Sequence, residues 1–204
     1  MGRYGAGRQK VAEEPGSAHQ DYHRIESPMV NLLSRLEILA AFRALSAELT
    51  SESQTEIVVG GGAALVLLYD AREATKDVDA VRISSIEASV VQAAAQRVAD
   101  RLDLPRDWLN DGAKGYLHGL ATGEVLFESL SLVVRSVAVQ QLLAMKLSAW
   151  RDDVDIEDAR LLLSKLKGPK AAIWSLVEPF LVPGRELKAR YAFEDLWETQ
   201  HGSS

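Results

Sequence analysis

Asp77 and Asp79 stand two residues apart, and Gly60, Gly61 and Gly62 precede them across an apolar stretch, in the segment GGGAALVLLYDAREATKDVDAV. On an extended chain residues i and i+2 point to the same face, so the two carboxylates project together while Val78 and Ala80 turn the other way. Two such charges repel unless a cation lies between them, and hard oxygen ligands of this kind suit Mg²⁺ or Mn²⁺. Glycines let backbone approach a ligand closely, and the N–H groups at a helix start favour a phosphate. No Lys-Ser or Lys-Thr follows the glycines, so this is not a Walker-type loop. If the two parts pack together, a nucleoside triphosphate (NTP) on the glycines would meet a metal on the aspartates. That is the apparatus of nucleotidyl transfer, in which the metal activates the attacking oxygen and neutralises charge on the departing pyrophosphate. Each feature alone has a plainer reading, a tight turn or a solvated strand end.

A second group lies in LLAMKLSAWRDDVDIEDARLLL, residues 142 to 163. On a helix over 137 to 150, the neighbours of Lys146 are Leu142, Leu143, Ala149 and Trp150, all apolar. A lysine in such a stripe is costly unless its ammonium snorkels to water or meets an anion. Read functionally, it grips a phosphate or the leaving pyrophosphate. Asp158 borders an apolar face and is a candidate third ligand or nucleophile-orienting acid, whereas Asp155 is well placed as an N-cap. Twelve residues of continuous helix would hold Lys146 and Asp158 about 18 Å apart, so their meeting requires a break at RDDVD. Arg151 pairs with Asp155 at i,i+4 on any helical continuation. Arg72 is a candidate phosphate ligand. Glu128 is a candidate third carboxylate, although its alternation with Phe127 and Ser129 suits a solvent-facing position equally well. Trp108, Trp150, Trp174 and Trp197 read as core or interface residues, and His118 has no partner at ligand spacing.

The elements that must position these groups follow from periodicity. Leu32, Leu33, Leu36, Leu39, Ala40 and Leu45 recur at helical spacing between Met29 and Leu49. TEIVVG reads as a buried strand, GGAALVLLYDA as a helix and DVDAVRI as a second strand. Ser84 with Glu87 reads as a capping box opening a helix to about Asp103. LPRDWLNDGAKGYL is loop-like, and EVLFESLSLVV reads as one strand. Helices follow over 137–150, 156–166, 170–181 and 185–198, the last three separated by Gly168-Pro169 and Pro183-Gly184. The expected fold class is α+β: a small mixed β-sheet flanked by helices, then a helical C-terminal part. The expected division is a flexible tail over 1–27, a core over 28–135, and a part over 136–204 that completes the active site.

Composition narrows the classes. The chain has 204 residues, 47% hydrophobic and 25% charged, with a net charge of -6 and no cysteine. Disulfides, thiolate metal sites and cysteine nucleophiles are therefore excluded, and a cytoplasmic setting is expected. The first twenty residues have no apolar core of the signal-peptide kind. Ala63 to Tyr69, the longest apolar run, is far below the roughly 20 residues a bilayer span needs, so no membrane partner is expected. An acidic chain that touches nucleic acid must do so through a local patch. Lys165, Lys167, Lys170, Arg185, Lys188 and Arg190 would supply one if folded together.

The order glycines, helix, Asp-x-Asp resembles the signature of the polymerase-beta-type nucleotidyltransferase superfamily. With Arg72 and Thr75 before the acids, it is similar to the branch of small nucleotidyltransferases related to the AbiEii and MenT toxins of toxin–antitoxin systems. The lysine helix followed by Asp-x-x-Asp (Lys146, Asp155, Asp158) supports this, and LPRDWLNDGAKGYL resembles a segment of uncharacterised members. The likeness covers about residues 55 to 165. It implies a nucleotidyltransferase core using Mg²⁺ or Mn²⁺ and an NTP, with Asp77, Asp79, Lys146 and Asp158 catalytic and Asp77 and Asp79 holding the metal. Gly60, Gly61, Gly62, Arg72 and Lys146 would hold the nucleotide. It further implies a tRNA 3′ end as acceptor, a cognate antitoxin, and silencing by phosphorylation at Thr75. Modification of a protein hydroxyl or an aminoglycoside-like small molecule stays open, as does a non-catalytic nucleotide-binding module.

Overall fold

The computed structural model describes residues 1–2, 32–49, 54–69 and 71–202. The expected tail over 1–27 lies outside them apart from its first two residues. The fold is α+β. A short strand β1 (Leu33–Ser34) leads into helix α1 (Arg35–Glu48), followed by β2 (Thr55–Val59), α2 (Gly61–Tyr69), β3 (Ala74–Thr75), β4 (Val78–Arg82) and α3 (Ala88–Leu102). Next come β5 (Leu109–Asn110), a 3₁₀ turn (Gly112–Tyr116), β6 (Thr122–Glu128) and β7 (Leu132–Val137). The C-terminal part is helical: α4 (Val139–Ala149), α5 (Asp153–Lys165), α6 (Lys170–Val177) and α7 (Glu186–His201).

The five-stranded sheet has the order β5-β4-β2-β7-β6, and β1 pairs with β3 in a separate two-stranded ladder. β2 runs antiparallel to β4 and parallel to β7, with Val59 opposite Ala80 on one side and Ser136 on the other. The C-terminal ends of β2 and β7 and the N-terminal end of β4 therefore share one edge of the sheet. The glycines and the aspartates both fall there, and Gly60 N–H donates to the Asp79 carbonyl at 2.9 Å. β2 is central, with every residue buried except Glu56. α2 is apolar all round, as a helix enclosed by other elements must be, and Ala63 to Leu67 are buried.

Several expectations need correction. α1 starts at Arg35, and its buried face is Ile38, Ala41, Phe42 and Leu45. Leu36 and Ala40, expected in the stripe, are exposed because the helix is rotated toward Phe42, which packs on Trp108. The capping box is at Ser34 and Glu37, where the Ser34 hydroxyl accepts from Glu37 N–H and the Glu37 carboxylate accepts from Ser34 N–H at 2.8 Å. Ser84 and Glu87 form none: Glu87 is itself the N-cap of α3, without a side-chain cap bond. The single strand expected in EVLFESLSLVV is a hairpin, β6 and β7, turning at Ser129–Ser131, where the Ser129 hydroxyl accepts from Leu132 N–H at 3.0 Å. The loop-like segment 104–117 carries β5 and the 3₁₀ turn. Trp108 in it is fully buried, its indole N–H satisfied by the Ala95 carbonyl at 3.0 Å.

Candidate functional site

At the shared edge the chain makes a tight glycine turn. Gly61 has φ +57°, and a Cβ there would fall 2.6 Å from Asp79 Oδ2. At Gly62 a Cβ would fall 2.5 Å from Thr75 Oγ1 and 3.4 Å from Arg72 Nη1. Only glycine fits at either position, because Asp79 and Thr75 are pressed against the start of α2. The glycine turn, Asp79, Thr75 and Arg72 are thus neighbours at one place. Thr75 is buried and lies on β3.

Asp77 and Asp79 flank Val78, which is fully buried. Both aspartates are half-buried. Asp77 accepts from the Asn110 amide at 2.9 Å. Asp79 takes the backbone N–H of Ala113, in the 3₁₀ turn. Burial, and then the neighbouring Asp77 charge, raise the Asp79 pKa above the usual carboxylate range, against the pull of that N–H and of the Lys146 and Arg151 charges. A carboxylate pair that costs energy when ionised is the arrangement a divalent cation relieves. Among the described residues no three His, Asp or Glu side chains gather at metal-holding spacing. Two carboxylates nonetheless fit Mg²⁺, which is commonly held by one or two of them together with water and substrate phosphates.

The helical part brings the second group to the same place. α4 ends at Trp150, whose φ of +39° reverses the chain, and Asp152 caps α5 by accepting from Asp155 N–H at 3.0 Å. This is the break required at RDDVD. Lys146 Nζ then lies 2.8 Å from Asp155 and 2.7 Å from Asp158. Arg72 closes on Asp158 through both Nε (3.1 Å) and Nη2. Arg151 binds Asp155 through its backbone N–H at 3.1 Å and its Nε at 2.9 Å. Asp155 and Asp158 are 1% and 4% exposed, and each is met by cations, as a buried carboxylate requires. Burial opposes ionisation of Asp155, but the hydrogen bonds from Arg151 and Lys146 outweigh it and hold its pKa well below the ordinary value.

Two readings change here. Asp155 is not the N-cap; Asp152 is, and Asp155 is the buried acid that fixes Lys146. Lys146 is not a cation stranded in an apolar stripe, because its ammonium sits between two carboxylates. Glu128 does not join the site. It is exposed and lies opposite Val133, three residues and roughly 10 Å back along β7 from Ser136 at the site edge. Five of the six basic residues expected to make one patch divide among separate partners. Lys170 and Arg190 both pair with Glu194. Lys165 lies over Tyr69 at 5.5 Å. Arg185 and Lys188 go to the end of α4. Sequence reasoning missed Asn110 and the Ala113 N–H. Their only signal was the turn-rich LNDGA, whose polar residues read as solvent-facing.

Comparison with family models, with curated proteins and with solved structures found no match. No helix among the described residues is long and apolar enough to cross a membrane.

Proposed function

We propose that this chain is a metal-dependent nucleotidyltransferase that moves a nucleoside monophosphate from an NTP to an acceptor hydroxyl. The observation that carries the reading is the approach of Asp79 to the turn at Gly61, with Arg72 and Lys146 anchored beside it on Asp158. Phosphate-approaching backbone, a hard-oxygen pair and cations converge on one edge. With a divalent cation neutralising Asp77 and Asp79, the three cations Arg72, Lys146 and Arg151 against the two carboxylates Asp155 and Asp158 leave one positive charge for an anion.

In this reading the backbone at Gly61 and Gly62, with Arg72 and Lys146, orients the triphosphate. Asp77 and Asp79 hold Mg²⁺ or Mn²⁺, Asn110 and the Ala113 N–H fixing their carboxylates. A bound metal supplies charge neutralisation and lowers the pKa of an oxygen it contacts. The acceptor oxygen forms a bond to the α-phosphorus, the bond from that phosphorus to the bridging oxygen breaks, and pyrophosphate leaves with the electron pair. The hydroxyl proton passes to solvent or to an acid of the pair. Asp158 acts by placing Arg72 and Lys146. The acceptor we favour is an RNA 3′ end, the chemistry of a toxin of a toxin–antitoxin pair acting on tRNA in the cytoplasm. Incubating the protein and Mg²⁺ with each α-labelled NTP and total tRNA tests this. Label on RNA supports it. Label on protein or on small molecules moves the acceptor elsewhere, and no transfer with no NTP binding refutes it.

A further inference from the structure

Three cations gather where α4 ends. Arg185 donates from Nη1 to the Ser148 carbonyl at 3.1 Å, and Lys188 donates from Nζ to the Ala149 carbonyl at 2.6 Å. The guanidinium carbons of Arg185 and Arg151 lie 5.2 and 5.9 Å from the centre of the Tyr116 ring. Among the described residues neither Arg185 nor Lys188 has a carboxylate partner, in a chain of net charge -6. Helix-end carbonyls favour cations and account for one donor from each. An arginine has five donors and a lysine three, so most remain available. Tyr116 holds both guanidiniums in place and removes part of the entropy that binding an anion would cost.

The position of this cluster matters more than its size. The 3₁₀ turn begins at Gly112, where a Cβ would lie 3.1 Å from Asp79 Oδ1, and ends at Tyr116. A path thus leads from the acid pair along the turn to Tyr116, then across Arg151 and Arg185 to Lys188. A ligand with one anion would need one of these cations. A chain with a charge on every unit, its end at the acid pair, would use them in succession.

Resting on the function proposed above, we propose that Arg151, Arg185 and Lys188 form a phosphate track that holds the single-stranded 3′ segment of a polynucleotide with its terminal hydroxyl at Asp77 and Asp79. The track keeps Arg185 and Lys188 of the expected basic patch, adds Arg151, and leaves out Lys170 and Arg190, which pair with Glu194.

The test needs neither NTP nor metal. A fluorescent single-stranded RNA 12-mer is titrated with the full chain by anisotropy between 50 and 200 mM KCl. The comparison is the double variant Arg185→Gln with Lys188→Gln, whose amides retain donors for the α4 carbonyls. Each phosphate contact on a single strand contributes about 0.7 to the salt slope, so the variant's slope falls by about 1.4. Over this fourfold range the wild type loses about sevenfold more affinity than the variant. Lys188→Gln alone, at an exposed position, keeps the test decisive if the double variant folds poorly, and lowers the slope by about 0.7. An unchanged slope overturns the track, as does absence of RNA binding or equal competition by an acidic peptide. The two proposals fail separately. Expected slopes without nucleotidyl transfer sink only the enzymatic reading, while transfer to RNA ends with an unchanged slope sinks only the track.

Discussion

Replacing Gly61 with alanine perturbs the site at its narrowest point. Gly61 has φ +57°, where an L-residue is strained by about 1–2 kcal/mol. The new methyl would stand 2.6 Å from Asp79 Oδ2, so that oxygen must retreat by about 0.8 Å to reach ordinary contact at 3.4 Å. A misplacement near 1 Å at reacting groups costs about 100-fold in rate. Gly61→Ala should therefore lower the melting temperature by about 2–8 °C, at roughly 2–4 °C per kcal/mol for a chain of this size. It should also cut kcat for nucleotidyl transfer by about two orders of magnitude. Gly115→Ala is the control, because a Cβ there meets nothing within 4 Å. Thermal melts and initial rates on the two variants decide the matter. A Gly61→Ala protein with near wild-type kcat would refute the claim that the turn and Asp79 work as one unit.

Asp79→Asn should abolish transfer yet stabilise the metal-free protein at neutral pH. The native pKa of Asp79 is raised, so the wild type gives up stability as pH climbs from the unfolded value, about 3.9, through the native one. Melts should coincide near pH 3 and diverge above that window; equal melts at pH 7 would contradict the sign. Asp155→Ala should destabilise by about 3 kcal/mol, the lower end for breaking a buried pair, since Arg151 is largely exposed and Asp158 still holds Lys146. Because the native pKa of Asp155 is depressed, that penalty is full above the unfolded value and shrinks as pH falls through the native one; urea unfolding at pH 7 and in acid reads it, and a loss within 1 kcal/mol would mean the acid is dispensable. Thr75→Glu should lose nucleotide binding, while Thr75→Val, nearly isosteric, keeps most activity. The added carboxylate stands at Gly62, beside Asp79 and the phosphate space; an active Glu variant would remove phosphorylation at Thr75 as a switch.

Local patterns in the sequence were enough to reveal the buried β2, the apolar α2 and the Asp-x-Asp strand, because each element's period declares its own burial. The break at RDDVD was legible for a different reason: helical rise forbids Lys146 from reaching Asp158 without it. Long-range pairing was not legible. Lys146 looks stranded among Leu142, Leu143, Ala149 and Trp150, since nothing in its neighbourhood announces that α5 folds back to supply two acids. Asp155 reads as a cap because Asp152, Asp153 and Asp155 are equivalent to local rules, and only the tertiary position of Lys146 and Arg151 selects among them. Ser84 and Glu87 match a cap motif that the bend before α3 leaves unused. Asn110 was hidden in a turn-rich stretch, since a two-residue strand has too little pattern to read.

Paired labelling tests the central claim most directly. The same NTP is supplied with Mg²⁺ and total tRNA, once labelled at the α-phosphate and once at the γ-phosphate, to the wild type and to Asp79→Asn. Nucleotidyl transfer by this site requires the α-label to appear on the acceptor, the γ-label to leave as pyrophosphate, and both signals to vanish in the variant. A γ-label on the acceptor, or α-label transfer that survives Asp79→Asn, would contradict the account.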